Sequence, residues 1–483
     1  MFIGLDLGTS GLRALLVDAQ GTAVASADAG YGVAHLHQGW SEQDPADWVH
    51  ACQKVIATLV ETHPKEMQNL AGIGLSGHMH GATLLDKTGA VLRPCILWND
   101  TRSHVQAAEL DSDPQFRALT GNIVFPGFTA PKLAWVAQHE PDVFAQVAKV
   151  LLPKDYMTFW LTGSYSGDMS DCAGTAWFDV GARDWSDDLL AATNLTRDHM
   201  PTLFEGSQVV GKIRPDLATA LGLPNDVQIV AGGGDNAVAA CGVGGMKEGD
   251  GFVSLGTSGV LLAARDGFAP MADSAVHTFC HAVPQKWYQM GVVLAATDSL
   301  NWLAGITGAT PAELTAELGE TLGPPTALRF YPYLSGERTP HNDSAVRGGF
   351  INIDIATTRA DMTHAVMTGV SFALRDSLEA LRKTGANLQS VLAIGGGAAS
   401  PLWVEMLATV LNLPLDLPEQ GEFGAALGAA RLAICGVTGQ PVAQVMTKPK
   451  VSKTIHPRAD LVAAYDASYA QFAASFPTLK ALQ

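Results

Sequence analysis

The sequence of 483 residues lacks the features of disulfide-bonded, zinc-stabilised and membrane-spanning proteins. Its six cysteines are scattered and include no Cys-x-x-Cys pair, which argues against a disulfide network or a structural zinc site. No apolar run is long enough to cross a bilayer, and the N-terminus begins with a strand-like segment instead of a signal peptide. We therefore expect a cytoplasmic protein in a reducing environment.

Positive charge is scarce, with 30 Lys and Arg against 47 Asp and Glu and a net charge of −17. Binding to nucleic acid or to an anionic membrane depends on clustered Lys and Arg, and no such cluster is visible. An anionic ligand would instead need a metal ion, a helix N-terminus or a group of backbone N–H donors. This reasoning favours magnesium as an accompanying ion.

Glycine is abundant, with 50 residues, and one glycine-rich pentapeptide occurs twice. Leu-Gly-Thr-Ser-Gly stands at residues 7–11 and again at residues 255–259, each time after an apolar, strand-like run. The motif offers backbone N–H groups that no Cβ blocks, together with two hydroxyls, which is the chemistry that binds phosphate oxygens. One such turn in each half indicates two halves that bind one nucleotide phosphate chain.

The length exceeds what one hydrophobic core usually supports, so two domains are expected. In the first half we predict three meander strands, a helix and a buried strand, at residues 2–7, 13–17, 22–27, 45–60 and 70–75. The second half repeats this order with three strands and a helix, at residues 251–255, 260–264, 287–293 and 295–303. The repetition predicts duplicated α/β domains, residues 1–244 and 245–483, that face each other across a cleft.

The last hundred residues contain a third glycine-rich junction between a strand and a helix. We predict the strand at residues 390–394 and the helix at residues 401–412, with three glycines at the turn between them. A closely packed Gly- and Ala-rich helix at residues 423–433 would support this turn. Residues 446–457 are predicted to be a linker that leads to a final Ala-rich helix.

These segments resemble the FGGY family of carbohydrate kinases, whose fold is shared by actin, hexokinase and the ATPase domain of heat-shock chaperones. The resemblance spans nearly the whole chain and rests on residues 6–11, 129–136, 232–236, 254–259 and 394–398. It implies two duplicated ribonuclease H-like domains and an ATP-dependent kinase that uses Mg²⁺ and phosphorylates a sugar hydroxyl. Family analogy also suggests a homodimer.

Within the family, residues 76–81 look most like the members that phosphorylate D-xylulose, and residues 38–45 and 333–340 are similar to theirs as well. The resemblance therefore implies D-xylulose as the acceptor and D-xylulose 5-phosphate as the product. It places Met79 in apolar contact with the ketose and His80 in hydrogen bonds with its hydroxyls. Trp98 either offers a ring face to the sugar or belongs to the core.

Two aspartates are the predicted catalytic residues. Asp235 follows three glycines and could be a helix N-cap, but Asp235 and Asn236 together also suit a polyol, and the resemblance makes Asp235 the general base. Asp6 ends a buried strand, where an unpaired carboxylate would be costly, and we assign it to Mg²⁺. The alternative for Asp6 is a carboxylate bonded to N–H groups of the adjacent turn.

The resemblance also assigns the three glycine-rich turns to ATP. The residues for the phosphates are Gly8, Thr9, Ser10, Gly256 and Thr257, and those for adenosine are Gly396 and Gly397. Lys132 and Trp135 are given a structural role. We assign no metal to His78 with His80, because no third ligand is evident nearby, and none to His277, Cys280 and His281, because their spacing matches no standard zinc pattern.

Several alternatives remain open from the sequence. The enzyme could phosphorylate another polyol, such as ribulose, gluconate or glycerol. An actin-like or chaperone-like nucleotide switch would share the phosphate turns but would use closure for assembly or client binding. Asn352, Ile353 and Thr368 depart from the second signature of the family, which leaves room for a non-catalytic sugar-binding relative.

Overall fold

The computed structural model describes residues 1–419 and 424–482. Residues 420–423 and 483 lie outside the described part, and Phe423, at which the predicted Gly- and Ala-rich helix begins, is among them.

The described residues form 24 strands and 18 α-helices, numbered here in chain order. The strands β1 to β24 are Phe2–Leu7, Gly11–Val17, Ala23–Gly30, Glu42–Gln43, Gly72–Gly77, Thr83–Leu85, Cys95–Ile96, Lys149–Leu151, Ser166–Asp168, Phe178–Asp179, Asp184–Trp185, Thr202–Phe204, Val209–Lys212, Gln228–Val230, Gly233–Gly234, Gly251–Leu255, Gly259–Arg265, His277–Cys280, Trp287–Val293, Arg329–Tyr331, Gly349–Ile351, Val391–Ile394, Leu415–Pro418 and Val451–Ile455. The helices α1 to α18 are Pro45–Thr62, Pro64–Met67, His104–Asp111, Pro114–Thr120, Thr129–His139, Pro141–Phe144, Pro153–Thr162, Met169–Cys172, Asp187–Ala191, Pro215–Leu221, Asp235–Gly242, Thr297–Thr307, Pro311–Ala316, Arg359–Lys383, Pro401–Leu411, Ala425–Thr438, Val442–Val445 and Ala459–Ala481.

The first large sheet is built around β1 and β5. Its order is β13-β14-β5-β1-β2-β3, and β15 pairs with the end of β5. The antiparallel pairs β1–β2 and β2–β3 confirm the predicted meander. Because β1 and β15 both run parallel to β5, all three strands end at the same edge of the sheet.

Helix α1 begins where the sequence predicts it. The carboxylate of Asp44 caps the helix by accepting a hydrogen bond from the N–H of Ala46 at 2.9 Å, and Pro45 is the first helical residue. Its apolar face is buried in the first core and consists of Trp48, Ala51, Cys52, Val55, Ile56 and Leu59. The helix therefore covers one face of the sheet.

The second large sheet repeats the pairing of the first. Its order is β18-β19-β17-β16-β22-β23-β24, with β16 antiparallel to β17 and parallel to β22. This matches the position of β1 between β2 and β5, so the predicted duplication of strand order is confirmed. A second core, in which α14 and α15 have large buried faces, packs with this sheet.

Part of the predicted linker is a strand. β24 pairs antiparallel with β23 at the end of the second sheet, and it lies inside the range 446–457. Lysine and flanking proline, which suggested a linker, are also typical of edge strands, where they oppose pairing with a further chain. The linker prediction is wrong for this stretch.

The described chain forms two compact units. The first contains Met1–Met246, Phe279–Trp287 and helix α16, and the second contains Lys247–Thr278 and most of the remaining residues. The proposed domain boundary near residue 244 remains a prediction. No helix in the described ranges has the length and apolar character needed to cross a membrane.

Helix α16 packs on β1 and β5 at backbone-to-backbone distance. A Cβ atom on Gly4 would lie 1.7 Å from the carbonyl oxygen of Ala426, and one on Gly74 would lie 1.9 Å from that of Ala429. The close packing predicted for this helix is therefore confirmed, but it is against the first sheet, and the expected support of the turn at residues 395–397 remains a prediction. Among the strands that α16 contacts are β1, which carries Asp6, and β5, which pairs with the strand before Asp235.

Replacement of Gly74 by alanine is expected to destabilise the protein by about 3 kcal/mol, because the new Cβ would displace α16 from β5. Thermal unfolding of the purified variant measures the effect. Gly349→Ala is the matched control, since Gly349 is also a strand glycine and no atom lies within 4 Å of a Cβ built on it. Equal unfolding midpoints for the two variants would contradict the packing argument.

Candidate active site

Three glycines, residues 232–234, form the turn that leads into Asp235, and each approaches a different neighbour. A Cβ on Gly232 would lie 2.0 Å from the carbonyl oxygen of Leu75. A Cβ on Gly233 would lie 2.7 Å from Ser170 Oγ, and one on Gly234 would lie 2.9 Å from Met79 Cγ. Gly232 also has a φ of +76°. The turn therefore lies so close to β5, Ser170 and Met79 that larger residues would force it away.

Asp235 is the first residue of α11, and the N-cap position belongs to Gly234. Its Oδ1 accepts hydrogen bonds from the backbone N–H of Asn236 at 2.7 Å and from the side-chain Nδ2 of Asn236 at 2.9 Å. Burial, with a smaller contribution from the charge of Asp6, raises the pKa of Asp235 to about 7 against the effect of these bonds. A carboxyl with this pKa can exchange a proton near neutral pH.

Asp6 lies near the end of β1, where its partners across the sheet are Ser76 of β5 and Arg13 of β2. Burial raises the pKa of the Asp6 carboxyl, while the Ser76 hydroxyl and the Arg13 guanidinium lower it. No backbone N–H within the described ranges donates to this carboxylate, so the alternative of a turn-bonded Asp6 is not supported. The structure thus brings Asp6 and Asp235 to one sheet edge.

In the first glycine-rich turn, residues 8–10, the carbonyl groups accept hydrogen bonds from residues elsewhere in the chain. The hydrogen bonds are Tyr31 Oη to the Gly8 oxygen at 2.5 Å, Gln43 Nε2 to the Thr9 oxygen at 2.6 Å and Tyr31 N to the Ser10 oxygen at 3.1 Å. In the part of the chain that the structure describes, the N–H groups of Thr9 and Ser10 meet no acceptor. A fixed turn with two unused N–H donors is suited to bind an anion.

In the second turn, residues 256–258 of the second unit, carbonyl groups also accept hydrogen bonds from other residues. Ala296 N donates to the Thr257 oxygen at 2.8 Å, and Thr297 N donates to the Gly256 oxygen at 2.9 Å. Considering only described residues, the N–H groups of Thr257 and Ser258 have no acceptor. Both copies of the pentapeptide therefore form turns next to the end of a central strand, although the Gly8 N–H bonds the Gly11 oxygen in the first and the Gly256 N–H bonds the Ser258 oxygen in the second.

The third glycine-rich turn, residues 395–397, lies beside the second one because β22 runs parallel to β16. A Cβ on Gly397 would lie 2.8 Å from the Cβ of Leu255, so this glycine is required for packing. Gly396 is exposed, and no atom lies within 4 Å of a Cβ built on it. Of the two predicted adenosine residues, Gly396 is the one with open space in front of it.

Met79 and His80 lie against Gly174, which the sequence did not single out. A Cβ on Gly174 would be 2.4 Å from His80 Cε1 and 3.0 Å from Met79 Cε. His80 Nδ1 is 2.7 Å from the carbonyl oxygen of Gly174, and because a carbonyl only accepts, Nδ1 carries the proton and Nε2 has acceptor character. The His80 ring also stacks on Phe128, with centroids 4.6 Å apart.

Lys132 holds the backbone of His80. Its fully buried Nζ donates to the His80 carbonyl oxygen at 2.7 Å, and Thr129 Oγ1 donates to the same oxygen at 3.2 Å. His80 has a φ of +69°, which is unfavourable for a side chain of this size, so these two bonds stabilise a conformation that would otherwise be rare. Burial lowers the pKa of Lys132 to about 7. The structural role assigned to Lys132 is therefore specific to the candidate site.

His78 and Trp98 differ sharply in their surroundings. His78 is buried edge-on against Trp48, and burial together with the charge of Lys132 lowers its pKa to about 3, so it is a neutral core residue. Trp98 is 46% exposed, and its Nε1 donates to Thr9 Oγ1 at 3.0 Å. The alternative that Trp98 belongs to the core is wrong, and the residue instead contacts the first glycine-rich turn.

A fully buried group of charges, for which the sequence contains no clear signal, lies behind the turn that carries Asp235. Lys154 Nζ contacts Asp155 and lies 2.8 Å from Asp168, and Asp171 is the third carboxylate of the group. Carboxylate oxygens of the three aspartates lie within 4.8 Å of one another, a spacing that could hold a metal ion. The Lys154 ammonium already binds two of these carboxylates, so we assign it, and not a metal ion, as the cation of this group.

Comparisons with known proteins agree with the features of both units. Models of the FGGY family of carbohydrate kinases match residues 1–242 with the N-terminal domain and residues 251–437 with the C-terminal domain. The chain is 47% identical to a xylulose kinase of Escherichia coli K12, over 90% of this chain and 89% of the relative. It is 45% identical to a xylulose kinase of Klebsiella pneumoniae, over 100% of both chains.

A solved structure from Brucella ovis, described as a xyloylose kinase, superimposes on the chain with a TM-score of 0.98. The two sequences are 54% identical, and the match covers 100% of this chain and 99% of the other. The duplicated α/β fold described above is accordingly the actin- and hexokinase-like fold of sugar kinases.

Replacement of Asp235 by asparagine is expected to stabilise the folded protein at pH 8 by about 1–3 kcal/mol. The folded-state pKa of about 7 lies above the ordinary value of 3.8, so the wild-type fold loses stability as pH rises between these values. The asparagine side chain cannot ionise, but it keeps an acceptor for the bonds from Asn236. Unfolding midpoints at pH 5 and pH 8 should show a larger gain at pH 8.

The control for this effect is Asp298→Asn, which changes an exposed carboxylate in the first turn of α12. This variant is expected to lose a little stability, because a negative charge near a helix N-terminus is favourable. A stability gain for Asp235→Asn that is the same at both pH values would contradict the proposed burial of the ionised carboxylate.

Proposed function

The chain belongs to the FGGY family of carbohydrate kinases, and on this basis we propose that it transfers the γ-phosphoryl group of ATP to D-xylulose. The product is D-xylulose 5-phosphate, and the reaction belongs to xylose metabolism. The observation that carries the proposal is the common edge of β1, β5 and β15, where Asp6, Asp235 and the Met79 side chain lie together. We choose D-xylulose as the phosphoryl acceptor because the relatives that align over nearly the whole chain are xylulose kinases.

Asp235 acts as the general base for the sugar hydroxyl. Phosphoryl transfer passes through a loose transition state, so the protein mainly orients the hydroxyl and accepts its proton late. A pKa of about 7 suits this task, because the carboxylate is ionised in a large fraction of molecules and still binds the transferred proton. The two hydrogen bonds from Asn236 fix one carboxylate oxygen and leave the other for the hydroxyl.

Asp6 is the residue that would hold Mg²⁺. A half-buried carboxylate at a strand end, beside a turn with unused N–H donors, offers the oxygen ligands and phosphate contacts that this ion prefers. When bound, such an ion would offset the negative charge of the ATP phosphates.

ATP is bound by the three glycine-rich turns. Gly8, Thr9 and Ser10 in the first unit, and Gly256 and Thr257 in the second, bind the phosphates through their N–H groups and hydroxyls. Gly396 allows adenosine to approach the backbone, because the space in front of it is open. Gly397 contributes by holding this turn against Leu255.

The sugar is bound mainly by the segment that Lys132 holds in place. His80 Nε2 accepts a hydrogen bond from a ketose hydroxyl, Met79 packs against the carbon chain, and Asn236 bonds a further hydroxyl. Trp98 offers an exposed ring face beside the first phosphate turn. A cytoplasmic homodimer remains part of the proposal, and the six free cysteines are consistent with a reducing compartment.

Asp235→Asn is expected to lower the xylulose-dependent turnover about 10²–10⁴-fold, since general-base assistance is lost while the geometry is kept. The assay measures ADP release with D-xylulose, D- and L-ribulose, gluconate, glycerol and no sugar, for the wild type and the variant. We expect D-xylulose to give the largest stimulation of the wild type.

The same assay separates the alternatives. Greater stimulation by glycerol, ribulose or gluconate would identify another polyol as the substrate. ADP release that no sugar stimulates would favour a nucleotide switch. Sugar binding in calorimetry without any ADP release would indicate a non-catalytic sugar-binding protein.

Lys132→Met is expected to raise the KM for D-xylulose about tenfold or more and to leave the KM for ATP nearly unchanged. The substitution removes the buried bond to the His80 carbonyl oxygen, a loss worth about 1–3 kcal/mol, and so releases the backbone of a sugar-binding residue. Lys149→Met is the matched control, because Lys149 Nζ also donates to a backbone carbonyl, that of Asp198 at 2.6 Å. An equal rise of the KM for D-xylulose in both variants would contradict the role of Lys132.

A further inference from the structure

We propose that Ser170 is a positioning residue for Asp235, and that Asp168 and Lys154 hold Ser170 in place. The inference rests on the proposed kinase function, in which the placement of Asp235 limits turnover. Neither the sequence motifs nor the family resemblance assigns these three residues a role. They link the buried group of charges to the backbone of the glycine turn.

The Ser170 hydroxyl makes two hydrogen bonds of opposite direction. It donates to Asp168 Oδ2 at 2.5 Å, and it accepts from the backbone N–H of Gly234 at 3.1 Å. Because its proton is given to Asp168, the oxygen is left to accept from Gly234. Gly234 is the residue directly before Asp235, so this bond fixes the peptide from which the general base extends.

Asp168 is itself held at both carboxylate oxygens. Oδ2 also accepts from the backbone N–H of Ser170 at 2.7 Å, and Oδ1 lies 2.8 Å from Lys154 Nζ. All of these side chains have 0% exposure. In a fully buried site, charge-assisted bonds of this kind keep their geometry more strictly than they would at the surface.

Lys154 connects the same network to the sugar-binding segment. A Cβ built on Gly77, the last residue of β5, would lie 2.9 Å from the Lys154 Cβ. The Lys154 side chain therefore packs on the backbone that leads into Met79. Asp155 and Asp168 share its ammonium. The buried group therefore contacts both segments on which the proposed chemistry depends, the end of β5 and the turn before Asp235.

Two glycine positions support the same conclusion independently of the hydrogen bonds. The turn approaches Ser170 so closely at Gly233 that a Cβ there would lie 2.7 Å from the hydroxyl oxygen. On its other side, Gly234 packs on Met79. Ser170 and Met79 thus confine the turn from two directions, and loss of the Ser170 bond would release the turn on one side.

The test compares Ser170→Ala and Ser170→Cys with the control Ser166→Ala. The alanine variant removes the hydroxyl, and the cysteine variant keeps the volume but offers only a weak acceptor. Ser166 is also buried, and within the described residues its hydroxyl has no hydrogen-bond partner, so its removal changes volume without breaking the network. Steady-state kinetics, thermal unfolding and amide hydrogen exchange of the Gly234 peptide are measured for each protein.

We expect both Ser170 variants to lose kcat for D-xylulose about 10–100-fold with KM for ATP unchanged, and to exchange the Gly234 amide faster. Ser166→Ala should resemble the wild type in all three measurements. The proposal is overturned if the Ser170 variants keep their kcat, or if Ser166→Ala loses activity to the same extent and in step with its unfolding midpoint.

Amide exchange separates failure of this inference from failure of the proposed function. If the wild type phosphorylates no sugar, the kinase proposal fails, and unchanged exchange at Gly234 in the Ser170 variants would then overturn the positioning role as well. Faster exchange without any loss of kcat would show that the bond exists but does not position the base, and it would also overturn the proposal.

Discussion

The close approach of the glycine turn to β5 is the constraint on which the candidate site depends. The end of β5 has β1 on one side and β15 on the other, and β15 consists of two glycines only. Larger residues at positions 232–234 would meet Leu75, Ser170 or Met79 and would push the turn outward. Asp235 would then move away from both Asp6 and Met79. Backbone proximity, more than any single side-chain contact, therefore sets the geometry of the site.

This proximity has an electrostatic consequence. Asp6 and Asp235 lie at one sheet edge, and burial raises the pKa of each carboxyl. Behind them the protein has buried three more carboxylates with a single ammonium, that of Lys154. Such an arrangement is unfavourable for folding unless protons or cations offset the charge. The site thus holds negative charge that ligands can later compensate, which is a common way in which binding sites trade stability for function.

Much of the fold could be predicted because its signals are local. The Asp44-Pro45 pair marks the start of α1, and the apolar runs at β1, β16 and β19 have the bounds that their sequence indicates. That Asp6 and Asp235 lie at one sheet edge could be expected only from the family resemblance, since the two residues are 229 positions apart in the sequence. Gly174 and Ser170, and the bond from Lys132 to the His80 carbonyl oxygen, were not predicted because their importance comes from contacts with groups far along the chain. Nothing in the immediate neighbours of Gly174 and Ser170 distinguishes them.

The repeated pentapeptide follows the central strand of the sheet in both units but has unequal chemistry in the two. Asp6 and Ser254 occupy equivalent places, each next to last in the central strand and paired on both sides. Asp6 has a serine, Ser76, beside it on the parallel strand, whereas Ser254 has Ile394. The second turn therefore offers neutral donors, while the first also has a carboxylate, suited to a cation, beside it. Because Asp235 also follows a strand of the first sheet, both carboxylates proposed for the chemistry lie in the first unit, and the second unit repeats only the glycine-rich turn.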